Sequence, residues 1–374
     1  MRASRVSFPA PDRNTSPEKR DSPMNEKQRI KHYIHFESVE TIPWQINYTS
    51  DIGHRLMQEF DLPVEHHEVL GKNIFAFNAL EKFLGNHIVP YLRTRAVNSV
   101  KEVKPGIWQD EWGVLWDRTI DKDIGTPMNC LLEEMQFADL TLPDPDDPDR
   151  YAHLTPIIEA NSDRYLLARR TYCLFERAWS LRGMENLLMD FVLHPSFVHQ
   201  LFELITEFNL KVVKNLINFP IDGIYFGDDW GSQGGLLISP ATWREFIKPY
   251  MKRLYAQAHQ QGYDVFIHSC GNNSLIMEDL IEIGVNVFNP FQPEVIDVEQ
   301  MMQQYAQRLA FYGSLSIQRT LPFGTPADVR QEVKHRLRLA RQYGGLIISP
   351  AHDMPPDIPT DNVLAMLDVL QSQS

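Results

Sequence analysis

Residues 268–271 read His-Ser-Cys-Gly and place an imidazole and a thiol two positions apart. They follow the apolar run DVFI, and at the end of an extended strand positions i and i+2 face the same side, so both side chains can reach one point. A borderline-soft ion such as zinc accepts a histidine nitrogen and a cysteine thiolate as ligands. His352 follows another apolar run, LIISPA, and is the third candidate ligand. The alternative is a buried free cysteine beside a hydrogen-bonded histidine, with His352 as a separate polar group.

Polar and aromatic side chains also lie at or just after the ends of other apolar runs. Glu176, Asp228 and His352 are candidates for acid–base catalysis, because each follows a strand-like segment. Asp229 is adjacent to Asp228, and neighbouring strand residues face opposite ways, so at most one of these aspartates is expected to enter a site. The alternative for Glu176 is an interaction with the dipole of a helix first turn. The candidates for substrate contact are Trp44, Tyr48, Trp230, Asn289, Phe291 and Gln292. Their alternatives are core packing for the aromatic residues and turn formation for the polar ones.

These positions belong to a chain that alternates short apolar runs with helical patterns. Such alternation predicts parallel strands joined by crossover helices. Seven strands are recognisable and an eighth is not placed, which favours an α/β fold of the (β/α)8 TIM-barrel type over an open sheet. No Gly-rich dinucleotide or phosphate-binding fingerprint follows any strand. The predicted strands are 41–49, 165–171, 223–229, 264–270, 285–291, 309–316 and 345–351, and the predicted helices after residue 160 are 177–190, 195–216, 239–261, 273–283, 297–307 and 325–343.

Three further segments differ from this alternation. Residues 1–23 contain four prolines and four serines but little apolar surface, so they are predicted to be a disordered N-terminal extension or the product of a start codon assigned too early. Residues 24–374 are then one barrel domain. A hairpin is predicted at 108–118, and the acidic, Pro-rich segment 142–151 reads as a solvated linker.

The composition describes an ordinary soluble protein of 374 residues, with 43% hydrophobic and 23% charged residues. A net charge of −13 without a basic run argues against nucleic acid as the main partner. No apolar run approaches the roughly 20 residues that span a bilayer, so no membrane partner is expected. Three cysteines are too few for a disulfide-stabilised secreted fold, which favours the cytoplasm. Cys130 and Cys173 have no neighbouring His or Cys and are expected to be packing residues.

Four motifs resemble the uroporphyrinogen decarboxylase superfamily over roughly residues 25–370. They are HSCGN (268–272), SPATWREFIKPYMKRL (239–254), DEWGVLW (110–116) and ISPAHDMPPDIPTDNV (348–363). The resemblance implies a (β/α)8 barrel with its site at the C-terminal mouth.

The decarboxylases of that superfamily act without a metal on a porphyrinogen that bears eight carboxylates. They carry R-Q-A-G-R-Y after the first strand, together with an aspartate that organises the pyrrole N–H groups. Here Gln45, Asn47 and Tyr48 stand where arginines would be expected, and 73–91 holds no clear equivalent of the aspartate. His352 is decarboxylase-like, because those enzymes also have a histidine near the start of the final Pro-rich segment.

A second branch comprises zinc-dependent methyltransferases that exchange methyl groups with a corrinoid. These carry H-x-C on one strand and a further ligand, often cysteine, near the last strand. His268 and Cys270 match the first part, whereas His352 or a residue beside it takes the third position. Glu176 is a candidate fourth ligand. The resemblance implies that zinc acts as a Lewis acid. No D-x-H-x-x-G corrinoid-binding sequence occurs, so the corrinoid would arrive on a separate protein.

The leading hypothesis is therefore a cytoplasmic methyltransferase acting between a small O-, N- or S-methyl compound, such as a methyl ether, and a corrinoid protein. Its zinc would be held by His268, Cys270 and His352. One alternative is a divergent uroporphyrinogen decarboxylase. Another is a non-catalytic barrel that binds a small ligand, in which protein neighbours would satisfy His268 and Cys270. Barrels of this size commonly dimerise, so a homodimer is a further expectation.

Overall fold

A computed structural model describes residues 24–69, 72–120, 125–138 and 140–373, so the predicted extension at 1–23 lies outside the described residues. The strands are β1 (Glu65–Val69), β2 (Lys72–Ala76), β3 (Ile88–Arg93), β4 (Lys101–Lys104), β5 (Ile107–Gln109), β6 (Leu115–Asp117), β7 (Thr126–Pro127), β8 (Tyr165–Arg170), β9 (Gly223–Gly227), β10 (Gly231–Ser232), β11 (Gly235–Leu236), β12 (Asp264–His268), β13 (Val287–Phe291), β14 (Ala310–Leu315) and β15 (Leu346–Pro350).

Helices separate most of these strands. They are α1 (Glu26–Ile34), α2 (Ser50–Glu59), α3 (Asn78–Leu84), α4 (Leu154–Ala160), α5 (Phe175–Arg182), α6 (Met184–Leu193), α7 (Pro195–Asn215), α8 (Pro240–Thr242), α9 (Lys248–Gln260), α10 (Met277–Glu282), α11 (Val298–Tyr305), α12 (Thr320–Phe323), α13 (Pro326–Tyr343) and α14 (Thr360–Gln371). Within the described ranges, none of them combines the length and the apolar character needed to cross a membrane.

Seven parallel strands form the central sheet in the order β15-β14-β13-β12-β9-β8-β3. Every residue of β9, β13, β14 and β15 is buried, as expected for parallel strands that are covered on both faces. The six strands predicted after residue 160 are present with slightly shorter bounds. The eighth strand, which the sequence did not place, is β3. The TIM-type α/β barrel is confirmed.

Residues 43–48 close this sheet between its two edge strands. Trp44 forms an isolated parallel bridge with Ile348 of β15, and the Trp44 carbonyl accepts a 3.4 Å hydrogen bond from the His87 N–H just before β3. The regular strand predicted at 41–49 is wrong, because Trp44 and Tyr48 form only isolated bridges, and on the β3 side, side-chain amides replace ladder bonds. Asn86 Oδ1 accepts from the Ile46 N–H at 2.7 Å, and Gln45 Oε1 accepts from the N–H of the first β3 residue at 3.0 Å. We call residues 43–48 the closing segment.

Two of the predicted helices differ from the observed ones. The helix predicted at 177–190 is divided into α5 and α6 at Gly183, whose φ of 85° lies in the left-handed region that an α-helix does not use. The helix predicted at 239–261 is continuous, but residues Trp243–Ile247 form a π-helical stretch between α8 and α9. Neither difference moves the carboxyl ends of the strands.

A small antiparallel sheet, β4-β5-β6-β7, contains the predicted hairpin. Buried ion pairs attach it to the barrel. Asp110 accepts from Arg177 at 2.7 Å, while Glu111 lies 2.9 Å from Arg150 and 3.5 Å from Arg170. Arg150 is 1% exposed, so the description of 142–151 as a solvated linker is wrong at this residue. The segment instead delivers a guanidinium that helps to fix the hairpin.

His35 gives the amino-terminal end of the barrel a pH-dependent contact. A hydrogen bond to Asp264 raises the pKa of His35, and desolvation opposes this effect only in part. The folded chain therefore holds a proton on His35 more tightly than the unfolded chain does. This stabilisation is complete below the unfolded pKa of about 6.5 and is lost as the pH rises through the higher folded pKa. We expect urea unfolding between pH 5 and 9 to give wild type a higher free energy of unfolding than His35→Gln, by up to about 1 kcal/mol and at acidic pH only. A pH-independent difference would contradict the prediction.

Candidate metal centre

Three predicted metal ligands meet at the carboxyl ends of two strands. His268 ends β12, Cys270 follows it by two residues, and His352 lies just after β15. One ligand atom from each lies within 4.8 Å of the others, and His268 Nε2 is 3.4 Å from Cys270 Sγ. Two donors bound to one tetrahedral zinc lie roughly 3.5 Å apart, given the usual Zn–S and Zn–N lengths. The three donor types, and the spacing of the His268–Cys270 pair, therefore fit zinc. We call these three residues the donor cluster.

The His268 ring is oriented from its other nitrogen. Nδ1 lies 2.6 Å from Asn289 Oδ1 and 2.8 Å from the Tyr225 hydroxyl, which also donates to Asn289 Oδ1. Asn289 Nδ2 donates to the Tyr312 carbonyl at 2.9 Å, so its Oδ1 is the acceptor that faces the histidine. This arrangement places the proton on Nδ1 and the lone pair on Nε2, toward Cys270. Burial lowers the pKa of His268 to about 4, so the ring is neutral at neutral pH.

A tight turn places Cys270. Its N–H donates to Asp229 Oδ1 at 2.8 Å, and the next N–H, of Gly271, donates to Gln292 Oε1 at 2.7 Å. Gly271 has φ 84°, and a Cβ there would lie 2.5 Å from the backbone of residues 231–232, so only glycine fits. Burial raises the pKa of the Cys270 thiol, and the charges of Asp229 and Glu176 raise it further.

The Asp228 carboxylate is occupied by hydrogen bonds at the start of α5, and its acid–base role stays a prediction. Its buried carboxylate accepts hydrogen bonds from three backbone N–H groups at the start of α5, at 2.9–3.1 Å. A fourth comes from the Trp230 indole at 2.6 Å. With both oxygens accepting two hydrogen bonds each, this carboxylate holds α5 in place. Burial raises the pKa of Asp228 to about 6. Asp229 is the aspartate on the site side.

Glu176 lies at the start of α5, close to both aspartates. Burial raises its pKa well above the ordinary value, and the charges of Asp229 and Asp228 add to the effect. The group of potential metal ligands within the described residues does not include Glu176. Its roles as fourth ligand or acid–base group stay predictions.

Most of the residues predicted to contact substrate have structural roles. Trp44, Trp230 and Phe291 are at most 7% exposed and pack in the core, so they are corrected to core residues. The partner rings, 4.2–5.3 Å away between centroids, are those of His87, Trp243 and Phe311. Two polar predictions are likewise corrected, because the amide of Asn289 orients His268 and that of Gln292 holds the turn at Gly271.

Tyr48, which the sequence predicts to contact substrate, lines a cavity of about 470 Å³ in the barrel mouth. Its contact with substrate stays a prediction. The cavity adjoins the donor cluster at two points, Tyr225, which bonds His268, and Asp353, which follows His352. The other ring-bearing and charged residues in its wall include Phe77, Tyr91, Tyr312, Glu81, Arg93 and Arg169. A small ligand in this cavity would therefore lie beside the donor cluster.

Glu81 occupies the wall near Tyr48. It is 1% exposed and is held by Arg164 at 3.0 Å, by Asn86 at 2.9 Å and by the Tyr48 hydroxyl. No sequence pattern singles out Glu81, because it lies within α3 and not at a strand end. Its carboxylate is already paired.

Sequence reasoning also missed Arg93 and Arg169 in the cavity wall. Both end or nearly end an apolar run, the position that marked the other candidates. Arg169 was visible in the predicted strand 165–171, whereas Arg93 belongs to β3, where Pro90 interrupts the strand-like pattern. Asp229 could have been found only by knowing which way the chain turns after β9.

The comparisons with known proteins agree with this architecture. Residues 166–373, more than half of the chain, match the family model described as uroporphyrinogen decarboxylase (URO-D). Similar curated proteins are the uroporphyrinogen decarboxylases of Thermus thermophilus, 25% identical over 177 residues, and of Coxiella burnetii, 21% identical over 183 residues. These alignments cover 46% and 48% of this chain, and 48% of each relative. The chain thus spans about half the length of the curated relatives it matches.

A solved methyltransferase from Methanosarcina mazei has a similar structure, with a TM-score of 0.68. The match covers 93% of this chain and 98% of that one, at 16% identity, so it shows a shared fold. The family-model match, together with the barrel and its strand-end site, leads to one conclusion: the chain belongs to the uroporphyrinogen decarboxylase family.

Proposed function

We propose that this protein is a zinc-dependent methyltransferase that moves a methyl group between a small methylated compound and a corrinoid carried by a partner protein. The observation that carries the proposal is the donor cluster, in which two imidazoles and a thiol converge within 4.8 Å beside a cavity. Three protein ligands are typical of catalytic zinc sites, where the fourth position is left to water or substrate.

The chain's own residues would prepare this site before any ligand binds. Asn289 and Tyr225 fix the His268 ring, while Asp229 and the Gly271 turn fix Cys270. Such supporting hydrogen bonds set the tautomer and direction of metal ligands. Bound zinc would supply Lewis acidity, which activates a thiol acceptor or polarises the heteroatom of a methyl donor.

The cavity would bind and shield the small compound. Its volume of about 470 Å³ lies in the lower half of the range for small-molecule sites, about 300–1,000 Å³. Tyrosine rings form much of its wall and would exclude water around the methyl group. The corrinoid protein would dock at the same mouth. Because Cys270 must stay reduced to bind zinc, we place the reaction in the cytoplasm.

Metal analysis combined with an activity assay tests this proposal. We expect the purified protein to contain about one zinc per chain, as a single three-ligand site requires. Chelation should abolish methyl transfer from a panel of methyl ethers, amines and thioethers to cob(I)alamin, and added zinc should restore it. Metal-free protein that decarboxylates uroporphyrinogen would overturn the proposal.

Uroporphyrinogen decarboxylation is the second candidate, because the curated relatives carry that name over half of the chain. The wall where the decarboxylase arginines would stand instead holds Asn47 and Tyr48, and Tyr48 is bonded to Glu81. Eight carboxylates would far outnumber the two arginines of the wall, Arg93 and Arg169, and each buried carboxylate left unmatched would cost free energy. A direct turnover assay with uroporphyrinogen separates the two candidates.

A further inference from the structure

Two arginines lie side by side in the cavity wall. Arg93 of β3 and Arg169 of β8 are register partners on adjacent parallel strands, and both line the cavity. Residues paired in this way project their side chains to the same face of a sheet. Two positive charges directly opposite each other on neighbouring strands repel, so this placement destabilises the barrel unless something compensates it.

Neither guanidinium forms an ion pair with a carboxylate among the residues that the structure describes, although the charge of Asp353 acts on Arg93 from a longer distance. Arg169 lies over the Tyr225 ring, 5.5 Å from its centroid, and Arg93 forms no ion pair or side-chain hydrogen bond there. Two buried arginines of this chain, in contrast, are paired. Arg177 binds Asp110 at 2.7 Å, and Arg182 binds Asp190 at 2.7 Å. The cavity arginines, of which Arg93 is exposed and Arg169 half-buried, lack the carboxylate partners that these two buried arginines have.

The charges around Arg93 have both signs, because Arg95 and Arg169 lower its pKa while Asp353 raises it. Desolvation, followed by the charges of Arg95 and Arg169, lowers the pKa of Arg93 to about 10, so it stays protonated at neutral pH. Asp353 also lines the cavity but lies in no ion pair with either arginine, and the Glu81 carboxylate is bound by Arg164. A paired cation facing a small aromatic-lined cavity is a recognition site for an anionic group.

Tyr225 links this pair to the donor cluster. It is the register partner of Arg169 on β9, and its hydroxyl contacts His268, which ends the next strand, β12. Because Tyr225 is the register partner of Phe266, His268 lies two strand spacings across and two residues further along, roughly 12 Å from the Arg169 backbone. A molecule with a ring or short chain between its two ends fits that separation.

We propose that the substrate is a small organic anion whose carboxylate or sulfonate binds Arg93 and Arg169 while its methyl-bearing end faces the donor cluster. The identity of the reaction rests on the proposed function. The binding of the anion does not, because the arginine pair is separate from the three candidate ligands.

Binding to the full-length, metal-free protein tests the anion site independently of methyl transfer. The probes are benzoate, benzenesulfonate and the neutral analogue benzamide, with dissociation constants measured by ligand-observed NMR. We expect benzoate or benzenesulfonate to bind at least about tenfold more tightly than benzamide, as charge-assisted hydrogen bonds require. The tighter of the two anions identifies the preferred group. Equal binding of all three probes would show that the arginines do not recognise charge.

Substitutions test whether Arg93 and Arg169 cause the preference for anions. Arg93→Gln and Arg169→Gln should each weaken binding of the preferred anion by about 10- to 100-fold and leave benzamide binding unchanged. Arg253→Gln is the matched control, because Arg253 pairs with Glu203 on the outer surface. The control should bind anions as wild type does.

Stability and zinc content separate this proposal from its alternatives. Without ligand, Arg93→Gln should unfold at the same temperature as wild type or higher, because it removes like-charge repulsion. A lower unfolding temperature with unchanged anion binding would show that the pair is structural and overturn the proposal. Zinc content should not change in either arginine variant. Zinc-free wild-type protein that still binds the anion would contradict only the proposed function.

Discussion

Replacing His268 or Cys270 with alanine is expected to remove zinc and, with it, methyl transfer. Each substitution deletes one of three donors that lie within 4.8 Å of one another. Catalytic zinc sites usually have three protein ligands, and the two that remain are too few to hold the ion tightly. Lewis-acid stabilisation of several kcal/mol corresponds to about a 1,000-fold loss of rate. Zinc content by mass spectrometry and initial rates of methyl transfer give the two readouts.

Cys130→Ala is the matched control for the cysteine variant. The Cys130 thiol donates to the Arg182 carbonyl at 3.1 Å, away from the donor cluster, so zinc and activity should persist. Circular dichroism of all variants checks that the barrel has folded. Folded His268→Ala and Cys270→Ala proteins with full zinc and full activity would exclude the donor cluster as the metal site.

Replacing Asp228 with alanine is expected to cost about 4 kcal/mol of unfolding free energy, since it leaves four buried donors without an acceptor at about 1 kcal/mol or more each. Three of those donors are backbone N–H groups at the start of α5, and the fourth is the Trp230 indole. Asp228→Asn retains one acceptor oxygen and should lose less. Chemical denaturation measures both effects.

Asp229, the neighbouring residue, is expected to contribute much less than Asp228 to the free energy of unfolding. Asp229 accepts one backbone hydrogen bond, from Cys270, and is half-buried, so Asp229→Ala should cost about 1 kcal/mol. Wild-type stability of Asp228→Ala would show that its carboxylate does not hold α5. An equal loss in the two alanine variants would contradict the different roles that the hydrogen bonds give to adjacent residues.

The sequence alone could predict the features that depend on local geometry or on strand alternation. His268 and Cys270 share a face because residues two apart on a strand always do. His352 joins them because the carboxyl ends of parallel barrel strands meet at one rim. The barrel itself followed from the regular alternation of apolar runs and helices after residue 160.

Features set by side-chain packing could not be predicted in this way. The choice between Asp228 and Asp229 depends on how the chain turns after β9, which no pattern records. Arg93 remained hidden because its strand contains Pro90. Trp44 appeared to be a cavity residue only while 41–49 was treated as a regular strand, whereas its indole in fact donates to the Leu84 carbonyl, outside the cavity.

The closing segment has a consequence for the order of events during synthesis. Trp44 bridges Ile348, so the closing segment remains unpaired on one edge until Ile348, about 300 residues later, has left the ribosome. Contacts between residues so distant in sequence carry a large loop-closure cost and form slowly. His352 arrives four residues after Ile348, so the third donor reaches the rim in the same late step. A chain with the complete donor cluster is therefore one whose barrel has already closed.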